Sequence, residues 1–228
     1  MVSRARALAG EFTGSALLTV VVIGSGIAAQ RLSTDRGLQL LENALVTALG
    51  LTVLILVFAP ISGAHFNPVV TAVDALLGHR RWRDLAGYLP AQVTGCIAGA
   101  VLANAMFGLP GISWSTTDRV TWPHLLAEVV ATAGLILVIF ALARTGRAAL
   151  AGPAVGAYIG AAYFFTSSTS FANPAITVGR MFSDTFAGIA PASAPGYIAA
   201  QLLGGAVGWL AVRTLFPATS RQQERRGT

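Results

Sequence analysis

The chain has 228 residues, of which 54% are hydrophobic and only 11% charged, with a net charge of +6 and a mean hydropathy of +0.68. So low a charged fraction excludes an ordinary soluble domain, whose surface needs about twice as many charges. The lone Cys96 excludes an intrachain disulfide, and a pI near 10.7 without a basic face on a soluble domain reads as topology and contact with anionic lipid, with no nucleic acid as partner.

A helix needs roughly 20 apolar residues to cross about 30 Å of hydrocarbon, and six stretches qualify. The first covers residues 8–29. Arg4 and Arg6 precede it as in a secretory signal, but the run is too long for a signal core and leads to no cleavage site before a soluble domain. It reads as a retained helix. The second span covers 43–60, after which 60–66 is a loop and 67–77 a short helix, with Asn67 as N-cap and Pro68 at the first helical position. The third and fourth spans cover 85–107 and 124–143. The fifth covers 148–165, followed by a polar irregular stretch, 166–172, and a second short helix from 173 to about 182 with the same Asn173-Pro174 start. The sixth covers 196–216.

All fifteen basic residues are Arg, and this topology puts eleven of them on one side: Arg4, Arg6, Arg80, Arg81, Arg83, Arg144, Arg147, Arg213, Arg221, Arg225 and Arg226. Arg31, Arg36 and Arg119 fall on the other. Both termini are therefore expected in the cytoplasm.

The chain repeats internally. Gly87-Tyr88 and Gln92 recur as Gly196-Tyr197 and Gln201, 109 residues on, as do Gly95 and Gly99 in Gly204 and Gly208. The Asn-Pro pairs recur after 106 residues, and the acids Glu11 and Glu128 after 117. Three spans per copy is an odd number, so the second copy enters from the opposite side. The expectation is one channel domain, 1–228, built as an inverted repeat of 7–107 and 124–216. Glycines spaced by four, including Gly152, Gly156 and Gly160, read as close helix packing. Irregular backbone at membrane depth is tolerated only where it is buried or lines a wet cavity. Two half-helices entering from opposite faces bring two positive dipole ends and two Asn amides together near the midplane.

The residues Ser62-Gly63-Ala64-His65-Phe66-Asn67-Pro68-Val69-Val70-Thr71 and Phe171-Ala172-Asn173-Pro174-Ala175 resemble the paired Asn-Pro-Ala boxes of the aquaporin and aquaglyceroporin family, and the likeness covers nearly the whole chain. The resemblance implies an all-α membrane protein of six transmembrane helices plus two re-entrant half-helices, a pore in each protomer, and usually a homotetramer. It implies passage of small neutral solutes and water, with no cofactor and no metal. The two Asn amides would donate to the solute while the half-helix dipoles exclude protons and cations. Val69 stands where the family has Ala and adds bulk near the midplane.

The outer filter departs further. Ile176 replaces the Arg that follows the second box, and counting from the boxes puts the other filter positions at Thr47, Ala161 and Ser170. None is aromatic, His or Arg, so a pore wide enough for glycerol-like polyols is expected. Arg180, one helical turn beyond Ile176, has two competing readings: it restores a positive filter and a water-selective pore, or it pairs with Asp184 or with carbonyls at the half-helix end. The stretch 184–189 reads as the extracellular return and resembles bacterial members encoded beside arsenic-resistance genes, which adds metalloid hydroxides as candidate solutes.

Glu11 and Glu128 are expected to hold the loops before the half-helices, with proton coupling as the alternative. That alternative would make the chain an ion-coupled secondary transporter. His65 is a loop anchor or a pH sensor at the cytoplasmic mouth, and His79 and His124 are surface residues. No nucleophile, base and oxyanion donors cluster, and the three His lack metal-ligand spacing, so an enzyme is not expected. The bacterial cytoplasmic membrane is the expected location.

Overall fold

The computed structural model describes residues 2–217 and is all helical there, with no strand among the described residues. Six helices are long and apolar enough to cross a membrane: α1 (Arg4–Leu32), α2 (Arg36–Ser62), α4 (Trp82–Met106), α5 (Trp122–Arg144), α6 (Ala151–Phe165, extended at its start by the 3₁₀ turn Ala148–Leu150) and α8 (Ala194–Leu215). Five of the six start two to seven residues before the apolar runs do. The reason is capping outside the hydrocarbon: Ser3, Asp35 and Thr121 each accept from a backbone N–H two or three residues into their helix. Arg221, Arg225 and Arg226 lie outside the described residues.

Two short helices complete the set, α3 (Pro68–Leu76) and α7 (Pro174–Arg180). At about 1.5 Å per residue their nine and seven residues are each far too short to cross a bilayer alone. Asn67 and Asn173 cap them through Oδ1, which accepts from Val69 N and from Ala175 N, each at 2.9 Å.

Small residues set how closely the long helices pack. Against α1, Gly95 and Gly99 of α4 lie on the carbonyls of Phe12 and Ala16; against α5, Gly204 and Gly208 of α8 lie on those of Val129 and Ala133. A Cβ at Gly208 would come within 2.7 Å of the Ala133 oxygen, and one at Gly99 would overlap the Ala16 oxygen. Without a hydrophobic drive between helices in lipid, such backbone contact supplies the association energy. Gly99→Leu should therefore cost about 3 kcal/mol, the upper end of overpacking penalties. Thermal unfolding in detergent would show the drop, whereas Gly111→Ala, whose added Cβ meets only Val101 at 3.4 Å, should leave the midpoint nearly unchanged.

Large apolar side chains such as Leu45, Leu49, Leu56, Leu203 and Leu210 point outward. The buried interior instead holds polar groups, among them Glu11, Gln92, Glu128 and Gln201, all without solvent exposure. This is the reverse of a soluble protein and matches a bundle with lipid outside and a polar path within.

Candidate functional site

The site is built from the two loops that precede the half-helices. Each leaves its long helix, passes through left-handed backbone at non-glycine residues, and ends at a capping Asn. The positive φ values are 52° and 49° at Ala64 and Phe66, and 49° and 48° at Ser170 and Ala172, with Thr169 at 63°. Such a conformation costs about 1–2 kcal/mol per residue, so something must hold it.

Buried carboxylates do. Glu11 accepts from His65 N at 3.0 Å and Phe66 N at 2.8 Å; Glu128 accepts from Phe171 N at 2.9 Å and Ala172 N at 2.8 Å. A glutamine braces each acid: Gln92 Nε2 donates to Glu11 and to Thr71, Gln201 Nε2 to Glu128 and to Thr177, at 2.7–3.0 Å. Two carboxylates carried on membrane helices thus have their oxygens engaged by loop and glutamine donors.

The loops meet at their ends. Asn67 Nδ2 donates to Ala172 O at 2.8 Å and Asn173 Nδ2 donates to Phe66 O at 2.7 Å. Each amide spends one N–H on the opposite loop and keeps a second for another acceptor.

Both asparagines line a narrow cavity of about 70 Å³, a volume of a few water molecules. Its walls are largely apolar, with Leu18, Val22, Leu51, Leu135 and Ile139 among them, and no carboxylate among the described residues lines it. His65 lies toward one end, its Nδ1 3.1 Å from Thr71 Oγ1 and its Nε2 3.5 Å from Asp74. Thr47, Tyr163, Ser170, Ile176 and Arg180 also border it. Tyr163 Oη and Thr47 Oγ1 are 3.3 Å apart, and the buried Ser170 Oγ has no partner among the described residues.

Residues 1–172 match the family model described as major intrinsic protein. The chain belongs to that family. It is a membrane channel for small uncharged solutes. This major intrinsic protein is 47% identical over 199 residues to aquaglyceroporin AqpS of Rhizobium meliloti (strain 1021), an alignment covering 87% of this chain and 85% of that protein. It is 30% identical over 210 residues to the glycerol uptake facilitator protein of Pseudomonas aeruginosa, covering 79% and 75%. Among solved structures, the aquaglyceroporin from Plasmodium falciparum shares its fold, with a TM-score of 0.78 at 19% identity over 94% of this chain and 98% of that one.

Several expectations for this major intrinsic protein need correction. Ala161 is exposed on the outer side of α6 and lines no part of the cavity; Tyr163 stands in its place. The glycine stripe fixes the rotation, because Gly152 and Gly156 must face Thr52 and Ala48 of α2, which turns Val155, Ile159 and Tyr163 inward. That stripe and the four-residue spacing were the signals available in the sequence. An aromatic and an Arg therefore border the cavity after all. Val69 packs beside Gly205 of α8, away from the cavity, and Pro68, Pro174 and Ala175 are likewise structural neighbours of the asparagines outside its lining.

Arg180 is 2% exposed and does not pair with Asp184. Its Nε donates to Ala187 O, and its guanidinium carbon lies 3.3 Å from the Phe171 ring centroid. Asp184 instead accepts from Thr116 N and Oγ1 at 2.9 and 3.1 Å. His79 is on the surface beside Asp74, whereas His124 is half-buried, its Nδ1 2.7 Å from Arg119 O.

Proposed function

We propose that this channel passes glycerol-like polyols and trivalent metalloid hydroxides together with water, while excluding protons and ions. The observation that carries the reading is the mixed character of the cavity lining. Val155, Ile159 and Ile176 give it apolar surface, and Thr47, Tyr163 and Ser170 add hydroxyls. A solute that carries both C–H and O–H groups meets partners for each, whereas water alone gains nothing from the apolar part. The names of the two relatives above, an aquaglyceroporin and a glycerol facilitator, support the same solute class. Asn67 and Asn173 present their spare N–H groups to the solute oxygen, and the converging half-helix dipoles repel cations.

The absence of any carboxylate from the cavity lining, with Glu11 and Glu128 already saturated, supports passive flux over ion coupling. We further propose an inverted repeat of 7–107 and 124–216, both termini in the cytoplasm, a bacterial cytoplasmic membrane location and a homotetramer. Paired holding of the loops by Glu11 and Glu128 supports the repeat. A second reading, a water-selective pore narrowed by Arg180, draws on the position of Arg180 at the cavity edge.

Stopped-flow light scattering on proteoliposomes separates the two. Protein-dependent re-swelling in glycerol and urea after shrinkage in an impermeant sugar is the expected result; fast shrinkage with no re-swelling would favour the water-selective reading. Ile176→Arg should cut glycerol flux about tenfold and water flux less, since it fills the apolar wall with a cation. Equal glycerol flux in that variant would remove Ile176 from the constriction.

A further inference from the structure

Beyond the narrow cavity lies a second, wider one of about 520 Å³. It is formed where α1 ends and α2 begins and by the connections from α4 to α5 and from α7 to α8, on the face opposite the described chain ends. Arg180 borders both cavities, so this vestibule sits over the pore mouth. Its charge is unbalanced. Arg36, Arg119 and Arg180 line it, with Asp184 as the one carboxylate in the lining among the described residues, and one oxygen of that carboxylate already accepts two bonds from Thr116. The acids just outside are engaged too: Asp35 caps α2, and Asp118 accepts from Val120 N and from the Ser193 hydroxyl, whose bond holds its carboxyl below the usual carboxylate range.

Two of the three cations are held in place by backbone carbonyls. Arg119 donates from Nε to Gly188 O at 2.7 Å and from Nη2 to Phe186 O at 2.9 Å, and its guanidinium carbon stands 5.4 Å from the Phe171 centroid. Arg180, almost fully buried, rests on the same ring and is tied only through Nε; its two terminal amino groups have no partner among the described residues. Two guanidinium groups sharing one ring repel each other. Asp184 offsets one of the three positive charges in the lining and leaves two in excess.

We propose that this vestibule binds a small tetrahedral oxyanion between Arg180, Arg119 and Arg36, and that the bound ion slows entry of neutral solutes from this face. The guanidinium fork matches the oxygen edge of sulfate or phosphate and takes it in paired, charge-assisted bonds. Gln39 and Thr117 in the lining add neutral polar groups. The ion goes no further, because the apolar walls of the narrow cavity cannot replace its hydration. The flux effect rests on the solute-channel reading; the binding itself does not.

The test uses the full chain twice. Calorimetric titration of the detergent-purified protein with sodium sulfate, against sodium chloride at equal ionic strength, should give saturable sulfate heat, with phosphate behaving alike. In proteoliposomes with sulfate on both sides, so that orientation does not matter, glycerol re-swelling should slow saturably relative to chloride. Arg36→Gln, an exposed side chain with no hydrogen bond to lose, and Arg119→Gln should each raise the half-saturating sulfate concentration about tenfold. Sulfate heat no greater than that of chloride, or an affinity unchanged in both variants, would overturn the proposal. Sulfate binding without glycerol flux would uphold the site while defeating the polyol reading.

Discussion

Replacing Glu128 by Ala should cut glycerol flux sharply and lower the unfolding temperature more than any substitution on the pore wall. The carboxylate takes four donors: Phe171 N, Ala172 N, Ser168 Oγ at 2.7 Å and Gln201 Nε2 at 2.7 Å. Each backbone N–H left buried without an acceptor costs about 1–3 kcal/mol. The loop they belong to also carries left-handed Thr169, Ser170 and Ala172, which relax once the acceptor is gone. Relaxation moves Asn173 and α7 together, because Asn173 follows Ala172 directly and caps α7. Flux measured by stopped flow should fall at least about tenfold, and the melting midpoint of the purified protein should drop with it. Glu128→Gln, which keeps the shape but turns an N–H toward one of the loop donors, should fall between. Wild-type flux and midpoint in Glu128→Ala would show that the loop holds its conformation without the acid. Glu11→Ala should behave alike, since Glu11 serves His65 and Phe66 in the same way.

The second large effect is expected at the junction of the two loops. Asn173→Asp keeps the N-cap, as a carboxylate accepts from Ala175 N as well as an amide oxygen does. It destroys the donor. A carboxylate oxygen then faces the Phe66 carbonyl, now at 2.7 Å from Nδ2, so attraction becomes repulsion. It also places a negative charge where two positive helix ends meet, which lowers the barrier to cations. Glycerol flux should fall about tenfold, and vesicles loaded with a pH-sensitive dye should show a proton leak absent from the wild type. Glycerol flux within about twofold of the wild type and no leak would remove Asn173 from the waist of the pore. Asn67→Asp, facing Ala172 O, is the companion variant.

Much of this was legible in the residue order. Long apolar runs with at most one charge marked the six crossing helices, because lipid allows few charges along them. The Asn-Pro starts marked α3 and α7, because Asn caps and Pro tolerates the first helical position. Matching acids at Glu11 and Glu128 pointed to a shared task, and the loop N–H bonds to both carboxylates are the form that task takes. The site was less legible at its rim. A count from the boxes put Ala161 at the constriction, but rotation of α6 is decided by Gly152 and Gly156 fitting against α2. That fit is a contact between segments about 100 residues apart in sequence, and it turns Tyr163 inward.

Arg180 and Arg119 show the same division. Local composition and capping are enough to place the chain in a membrane, to count its crossings, to find where its half-helices start and to show which acids recur. Packing between distant loops is what rests Arg180 on Phe171, binds it to Ala187 O instead of Asp184, and brings Arg119 beside it over the pore mouth. A long flexible side chain reaches several partners from one backbone position, and which one it meets depends on how separate loops pack.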